Sequence, residues 1–229
     1  MQVSIIIPTY NEAGWVGRLV RFLRFYGGNE LAEIIVSDGG STDNTVAEAQ
    51  RAGAKVVRAP QKGRAHQMNF GAQQSSSNLL YFVHADVVPP ASFITDIKKA
   101  LSQGFKAGRF TMWFKSKRPA LVVNALFSHL NLLWCSGGDQ SLFVTQPLWE
   151  QMQGFDPYFV IMEEYDFMRR LRSVTTLKII HKAVLTTDRK YKNNGYLKVN
   201  LANLKAFLMW RQGRNPKEIK RFYFEKLQS

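Results

Sequence analysis

The sequence predicts an α/β fold, with a mostly parallel sheet flanked by helices. Two observations carry this. Ile34-Ile35-Val36-Ser37 runs into Asp38, and Leu79-Leu80-Tyr81-Phe82-Val83 runs into His84-Ala85-Asp86. Short continuous apolar runs bounded by turn residues read as buried parallel strands. Segments of helical period alternate with these runs as far as Val83, which is the rhythm of a doubly wound unit.

The elements follow in order. Val3 to Ile7 is a buried strand stopped by Pro8. Asn11 is placed to cap a helix through Arg24, with Trp15, Leu19, Phe22 and Leu23 at helical spacing. Gly27-Gly28-Asn29 ends it, and Glu33 to Ser37 is the second strand. Asp43-Asn44 opens a helix through Ala52, closed by Gly53. Lys55 to Arg58 is a third strand, Ala65 to Gln74 a helix, and Leu79 to Val83 the fourth strand. Pro89-Pro90 breaks the chain before a helix over Phe93 to Ser102. The rhythm then changes. Phe105 to Phe114 reads as a strand, and Ala120 to Trp134 as one apolar helix interrupted by Asn124, Ser128, His129 and Asn131. Ser141 to Thr145 is a strand, Asp166 to Arg172 lies on a helix, and Leu177 to His181 and Val184 to Asp188 are two weaker strands. The tail divides at Gly213 to Pro216 into two helical patches.

No repeat or linker interrupts the 229 residues, so they read as one domain. Residues 1–104 form a regular α/β half, 105–188 a less regular half, and 189–229 a basic helical tail. Ligands of open α/β sheets bind outside the carboxyl ends of the strands. Asp38, Asp43 and Asp86 therefore share one edge, suited to a nucleotide, a metal ion, or both.

Hydrophobic residues at 45% and charged residues at 21% fit a globular protein. Cys135 is the single cysteine, which excludes an internal disulfide and fits a reducing compartment. The N-terminus lacks the basic and apolar regions of a signal peptide, and no apolar run of about 18 residues suggests a spanning helix. The expected location is cytoplasmic, with attachment at the inner face of the membrane as an option. The net charge of +14 is uneven: Arg189 to Ser229 holds eleven Lys/Arg against Glu218 and Glu225, or +9. Such a tail suits an anionic membrane surface, a packed helix pair, or a contact between two copies in a homodimer. A nucleic-acid-binding module is the reading the charge alone suggests. No zinc-ligand set, aromatic RNA-binding signature or helix-turn-helix supports it, so no nucleic-acid partner is expected.

Pro8-Thr9-Tyr10-Asn11-Glu12 and Asp38-Gly39-Gly40-Ser41-Thr42-Asp43 resemble the opening of the family 2 glycosyltransferases. His84-Ala85-Asp86 falls where that family carries its metal-binding Asp-x-Asp. Gly137-Gly138-Asp139-Gln140 and Met162-Glu163-Glu164-Tyr165-Asp166 extend the resemblance over residues 1–185. The wording at 84–86 and 137–140 is most similar to a small bacterial subgroup of the radical-SAM- or selenodomain-associated type. The resemblance implies the GT-A fold and an inverting, metal-dependent transfer of sugar from a nucleotide-diphospho-sugar, foremost a UDP-sugar, to an acceptor hydroxyl it leaves unidentified. The alternatives are a nucleotidyltransferase of related fold, whose usual basic Gly-rich loop PTYNE lacks, or a binding module without catalysis.

The resemblance assigns Asp38 to the nucleobase edge, and Pro8, Thr9, Tyr10 and Glu12 to the nucleoside pocket. Gly39 permits the tight turn beside it. Gly63, Arg64 and Gln67 lie beside the donor sugar and diphosphate, at a helix N-terminus that attracts anions. Gln67 and Asn69 could instead bridge to the sheet, and Asp43 could simply cap its helix. Asp86, beside Ala85, is the expected ligand of Mn²⁺ or Mg²⁺. His84 stands where the family has Asp, as a ligand tilting the site towards Mn²⁺ or as a neutral pocket wall. Glu164 matches the family's base, one methylene longer, with Glu163 as substitute and Asp139 as a third carboxylate. Arg169 and Arg172 share a helix face and either reach the diphosphate or pair with neighbouring acids. Trp113, Trp134 and Trp149 are candidates for core packing or sugar stacking.

Overall fold

A computed structural model describes residues 2–228. Its strands are β1 (Val3–Thr9), β2 (Leu31–Asp38), β3 (Lys55–Arg58), β4 (Leu79–Phe82), β5 (Ala107–Phe114), β6 (Leu142–Thr145) and β7 (Lys178–Thr186). The helices are α1 (Val16–Gly27), α2 (Thr45–Arg51), α3 (Arg64–Gln73), α4 (Phe93–Ser102), α5 (Ala120–Phe127), α6 (Gln146–Gln151), α7 (Glu163–Val174), α8 (Arg189–Asn194), α9 (Tyr196–Arg211) and α10 (Pro216–Gln228). Among the described residues no helix is long and apolar enough to cross a membrane.

All seven strands form one sheet in the order β3-β2-β1-β4-β6-β5-β7. β3, β2, β1 and β4 run parallel, β6 is antiparallel to both its neighbours, and β7 returns parallel to β5. The chain winds outward from β1 to β3, then crosses back to β4 on the other side of β1. That reversal opens a crevice beyond the ends of β1 and β4, where such sheets bind ligands.

The apolar runs explain the layers. Ile5 and Ile7 enter a core with Leu19, Leu23, Phe93 and Ile97, while Ile6 between them enters another with Met68, Phe82, Trp149 and Phe167. A strand covered on both faces needs an unbroken apolar run, as observed. α3 lies close against the sheet: a Cβ on Gly71 would come within 2.6 Å of Ile6 Cγ2. Gln67 Nε2 donates to the carbonyls of Thr9 and Ser37, clamping the ends of β1 and β2.

Four expectations change. The first helix starts at Val16, not Asn11, because Asn11 is left-handed (φ 54°) and its Oδ1 accepts the Thr42 N–H at 2.9 Å. The expected helix from Ala120 to Trp134 stops at Phe127. Arg109 is buried beneath it and donates to the Ser128 and Leu130 carbonyls, both at 2.8 Å, which takes those oxygens out of a helical ladder. The two weak strands are one strand, β7, whose register against β5 jumps from Phe110↔Ile180 to Thr111↔Ala183, so His181 and Lys182 bulge out. The tail holds three helices rather than two, because Asp188 is fastened by Ser116 and Lys192 and starts α8. Asp43 lies one residue before the N-cap of α2, Asn44; its Oδ1 accepts the Thr45 N–H at 3.0 Å, and its Oδ2 accepts that of Ala13 at 3.1 Å, so it ties the start of α2 to the loop after β1.

Glu33 on β2 joins three segments. Its Oε1 accepts from the Ser4 hydroxyl at 3.0 Å and from the Ser76 N–H at 2.8 Å and hydroxyl at 2.7 Å, while Lys55 lies 3.5 Å from Oε2. Partial burial pushes its carboxyl upward, but these donors outweigh it and hold it below the ordinary value. Glu33→Gln is expected to remove roughly 1 kcal/mol at neutral pH. A depressed carboxyl stabilises above the unfolded glutamate value, and that gain is lost as pH falls through the folded value. Denaturation curves of the two proteins should therefore converge towards acid; a gap constant across pH would contradict the assignment.

Candidate active site

The end of β1 and the loops after β1 and β4 form one wall of a cleft of about 740 Å³. Pro8, Glu12, His84, Ala85 and Asp86 line it, and Arg64 lines it from the start of α3. Gly63 precedes Arg64 at φ 138°, a conformation that favours glycine. Tyr10 is exposed beside this wall, with Lys62 Nζ 3.4 Å from its ring centroid. Asp38 is buried at the end of β2. Its Oδ2 accepts the Gly40 and Ser41 N–H groups at 2.9 Å each, and its Oδ1 accepts the Ser41 and Thr9 hydroxyls. In this arrangement Asp38 shapes its own loop, and neither Asp38 nor Gly39 lines the cleft. Gly39 sits against Gln67, whose amide a Cβ would meet at 2.9 Å. Gln67 and Asn69 both bridge: Asn69 exchanges hydrogen bonds with the Phe155 backbone at 2.7 and 2.9 Å.

Facing His84 and Arg64, α7 begins after Met162, a non-glycine residue held at φ 67°. This turn puts Glu163 and Glu164 in the first helical turn, where the helix dipole favours carboxylates. Glu164 Oε1 lies 2.8 Å from His84 Nε2, and Asp139 Oδ1 lies 3.7 Å from His84 Nδ1. Arg64 Nε is 3.4 Å from Glu163 Oε1, and its Nη1 is 4.0 Å from Glu164 Oε2. The Glu164 carboxylate rests against Gly138, where a Cβ would come within 2.0 Å of it. Burial alone would lower the His84 value, but Glu164 and Asp139 push it up to about 10, so the ring is an imidazolium at neutral pH. Burial raises Glu163, and Arg64 offsets this only in part. Burial also acts to raise Glu164, but His84 overrides it and holds Glu164 below the ordinary value.

Asp86 Oδ2 accepts from Thr187 at 3.2 Å and from Arg189 at 3.0 Å. The same Arg189 nitrogen reaches Glu12 Oε2 at 3.3 Å, and its guanidinium lies over Trp15. Arg189 was visible in the sequence only as the first charge of a basic tail. So was Lys190, whose Nζ donates to Asn203 at 3.2 Å and which burial pushes down to about 8. Tyr191, Tyr196, Phe207 and Tyr223 also reach the cleft from the tail, and no motif flagged them. Arg169 and Arg172 do not line it. Arg169 pairs with Asp166 at 2.8 Å, and Arg172 donates to Asn131 and Ser136. Trp149 is core, Trp113 is half-exposed away from the cleft, and Trp134 lies at its rim.

No group of three or more His, Cys, Asp or Glu among the described residues is arranged to hold a metal alone. Both His84 nitrogens face carboxylates, so its ring is engaged as a donor. Asp86 shares this edge with Glu12 and takes both of its contacts on Oδ2. This set fits a hard cation held by one carboxylate and completed by phosphate oxygens.

Comparison with known families matches residues 4–119, half of the chain, to Glycosyl transferase family 2. The chain belongs to that family. As a family 2 glycosyltransferase it is 33% identical over 96 residues to glucosyl-3-phosphoglycerate synthase of Mycolicibacterium smegmatis, covering 38% of this chain and 32% of that protein. It is 29% identical over 109 residues to dolichol-phosphate mannosyltransferase of Pyrococcus furiosus, covering 45% and 31%. The matched segments thus span about a third of these curated relatives. Among solved structures, S. aureus TarS 1–349 superposes with a TM-score of 0.68 at 16% identity, over 99% of this chain and 71% of that one. Glucosyl-3-phosphoglycerate synthase of Mycobacterium tuberculosis, in complex with Mn²⁺, UDP and glucosyl-3-phosphoglycerate, gives 0.66 at 18% identity, over 93% and 80%. At this identity the likeness is one of fold, the GT-A architecture that the motifs implied.

The contact between Glu164 and Gly138 yields a test of the site. Gly138→Ala leaves the backbone unstrained but displaces the Glu164 carboxylate. Turnover is expected to fall about 100-fold with the melting temperature nearly unchanged. Undiminished turnover would show that the position of Glu164 is immaterial.

Proposed function

We propose that this protein transfers a sugar, with inversion, from a nucleotide-diphospho-sugar to an acceptor hydroxyl. The observation that carries this reading is one cleft with two kinds of wall. The Glu12–Asp86 edge beyond the parallel strands forms one, and Glu164, held by His84 and Arg64 beside that edge, belongs to the other. Structures of the M. tuberculosis synthase with UDP and of TarS with UDP-GlcNAc support a UDP-sugar donor. In this reading Pro8, Thr9, Tyr10, Glu12, Asp38 and Gly39 border the nucleoside. Gly63, Arg64, Ala85 and Asp86 flank the diphosphate and sugar.

Glu164 is the base. It is the more exposed of the paired glutamates, with 17% of its side chain accessible against 4% for Glu163. Its carboxylate takes the proton of the acceptor hydroxyl as that oxygen bonds to the anomeric carbon. The bond from the anomeric carbon to the diphosphate oxygen breaks on the opposite face. His84 keeps Glu164 ionised and oriented, and Asp139 holds the other side of the ring. Arg64 ties Glu163 and Glu164 to the start of α3. Mn²⁺ or Mg²⁺, held by Asp86 and the donor phosphates, would offset the charge of the departing diphosphate.

Thermal shift with UDP, with and without Mn²⁺, tests the donor side. Wild type should be stabilised by the pair, and Asp86→Ala should lose the Mn²⁺-dependent part. An unchanged Mn²⁺ response would refute the role of Asp86. Glu164→Gln should keep the UDP shift and lower transfer by about 10²–10⁴-fold. Loss of transfer in Glu163→Gln with retention in Glu164→Gln would move the base by one residue.

A further inference from the structure

Two helices at the rim of the cleft are apolar on faces that nothing covers among the described residues. α9 packs Val199, Ala202, Ala206, Phe207 and Trp210 inward. Its outer face carries Leu197, Leu201, Leu204 and Leu208 at intervals of four, three and four residues, which is one continuous stripe. Leu197 is 72% exposed and Leu201 64%. α5 buries only Leu121 and Ala125, and leaves Val122, Val123, Leu126 and Phe127 outside, with Leu126 60% exposed. A helix apolar all round is ordinarily enclosed; both of these are enclosed on one side.

The two faces belong to one surface. Asn124 of α5 donates to Asn200 of α9 at 3.0 Å, and Leu121 and Val199 share a small core. Phe127 and Leu204 both line the cleft, so the apolar rim reaches its mouth. Beyond α5 the exposed Leu130, Leu132 and Trp134 continue the rim, and the Trp134 ring lies 5.1 Å from that of Phe127.

Charge selects the occupant. Segments 115–138 and 189–217, which carry this rim, hold eleven Lys/Arg and no Asp or Glu; Arg189 and Lys190 turn into the cleft, Lys192 and Arg214 pair with Asp188 and Glu218, and the other seven are Lys115, Lys117, Arg118, Lys198, Lys205, Arg211 and Lys217. A second copy docked here would set those cations against one another. An anionic surface would attract them, while the leucines enter the apolar layer beneath. We propose that the α5–α9 rim docks on an anionic lipid bilayer, with the mouth of the cleft towards the membrane. Within α9 the structure separates the apolar residues that are available from those that are not: Phe207 and Trp210 are buried, and the leucines of the outer stripe are exposed.

Cosedimentation with phosphatidylcholine vesicles, with and without phosphatidylglycerol, tests the proposal at physiological ionic strength. Wild type should bind only the anionic vesicles. Leu126→Glu/Leu201→Glu should bind them about tenfold or more weakly, with its melting temperature and its UDP–Mn²⁺ thermal shift unchanged. Leu197→Ser/Leu208→Ser, a milder change at two other exposed positions of the stripe, should weaken binding in the same direction. The thermal shift reads the donor end separately, so loss of docking and failure of the transfer reading are distinguishable. Three results would overturn the proposal: no binding of wild type, equal binding of both double variants, or a wild-type dimer that the variants convert to monomer.

Discussion

Three carboxylates in one corner of a cleft repel one another unless positive charge is built in beside them. Here Asp139, Glu163 and Glu164 converge on one imidazolium, His84, and one guanidinium, Arg64. Each group comes from a different part of the chain. His84 follows β4, Arg64 opens α3, Asp139 lies in the turn before β6, and the two glutamates open α7. The pairing therefore fixes how the regular half of the sheet meets the irregular half. It also sets local demands. Position 138 must lack a side chain, Met162 must turn left-handed, and Gly63 must admit Arg64 at the head of its helix.

β1, β2 and β4 were legible because burial on both faces leaves an unbroken apolar run that period alone identifies. Lys55–Arg58 and Phe93–Ser102 fall where they were expected. Boundaries failed where a side chain from elsewhere competes with the local ladder. Arg109 ends α5 by taking carbonyls 19 and 21 residues away. No local pattern around Ala120–Trp134 announces a buried guanidinium on β5. The bulge at His181–Lys182 likewise depends on register with β5, which periodicity split into two strands.

The candidate site was legible as residue types at strand ends and not as partnerships. Asp38 was found from its place after an apolar run, but its hydrogen bonds run to its own loop. His84 was read as a metal ligand or a neutral wall; its neighbours make it a cation, which depends on Glu164 lying 80 residues away. Arg169 and Arg172 share a helix face as spacing required, yet Asp166, Asn131 and Ser136 engage them away from the cleft. The tail residues that complete the cleft carry no motif, since an aromatic or basic residue on a surface helix looks the same whether or not it closes a pocket.

Arg189 gives the tail a stake in the opposite end of the molecule. It is the first residue of α8, and it reaches 103 residues back to Asp86 and 177 back to Glu12. An anion or cation entering at those carboxylates competes with Arg189 or recruits it. Were that exchange to move Arg189, reciprocity would carry it both ways: an anchor on α8 that shifts Arg189 would change affinity at Asp86 by the same factor that occupancy at Asp86 changes the anchoring. Two acidic residues from the loops after β1 and β4 and one arginine from the head of the tail thus form a single ion-paired unit across the chain.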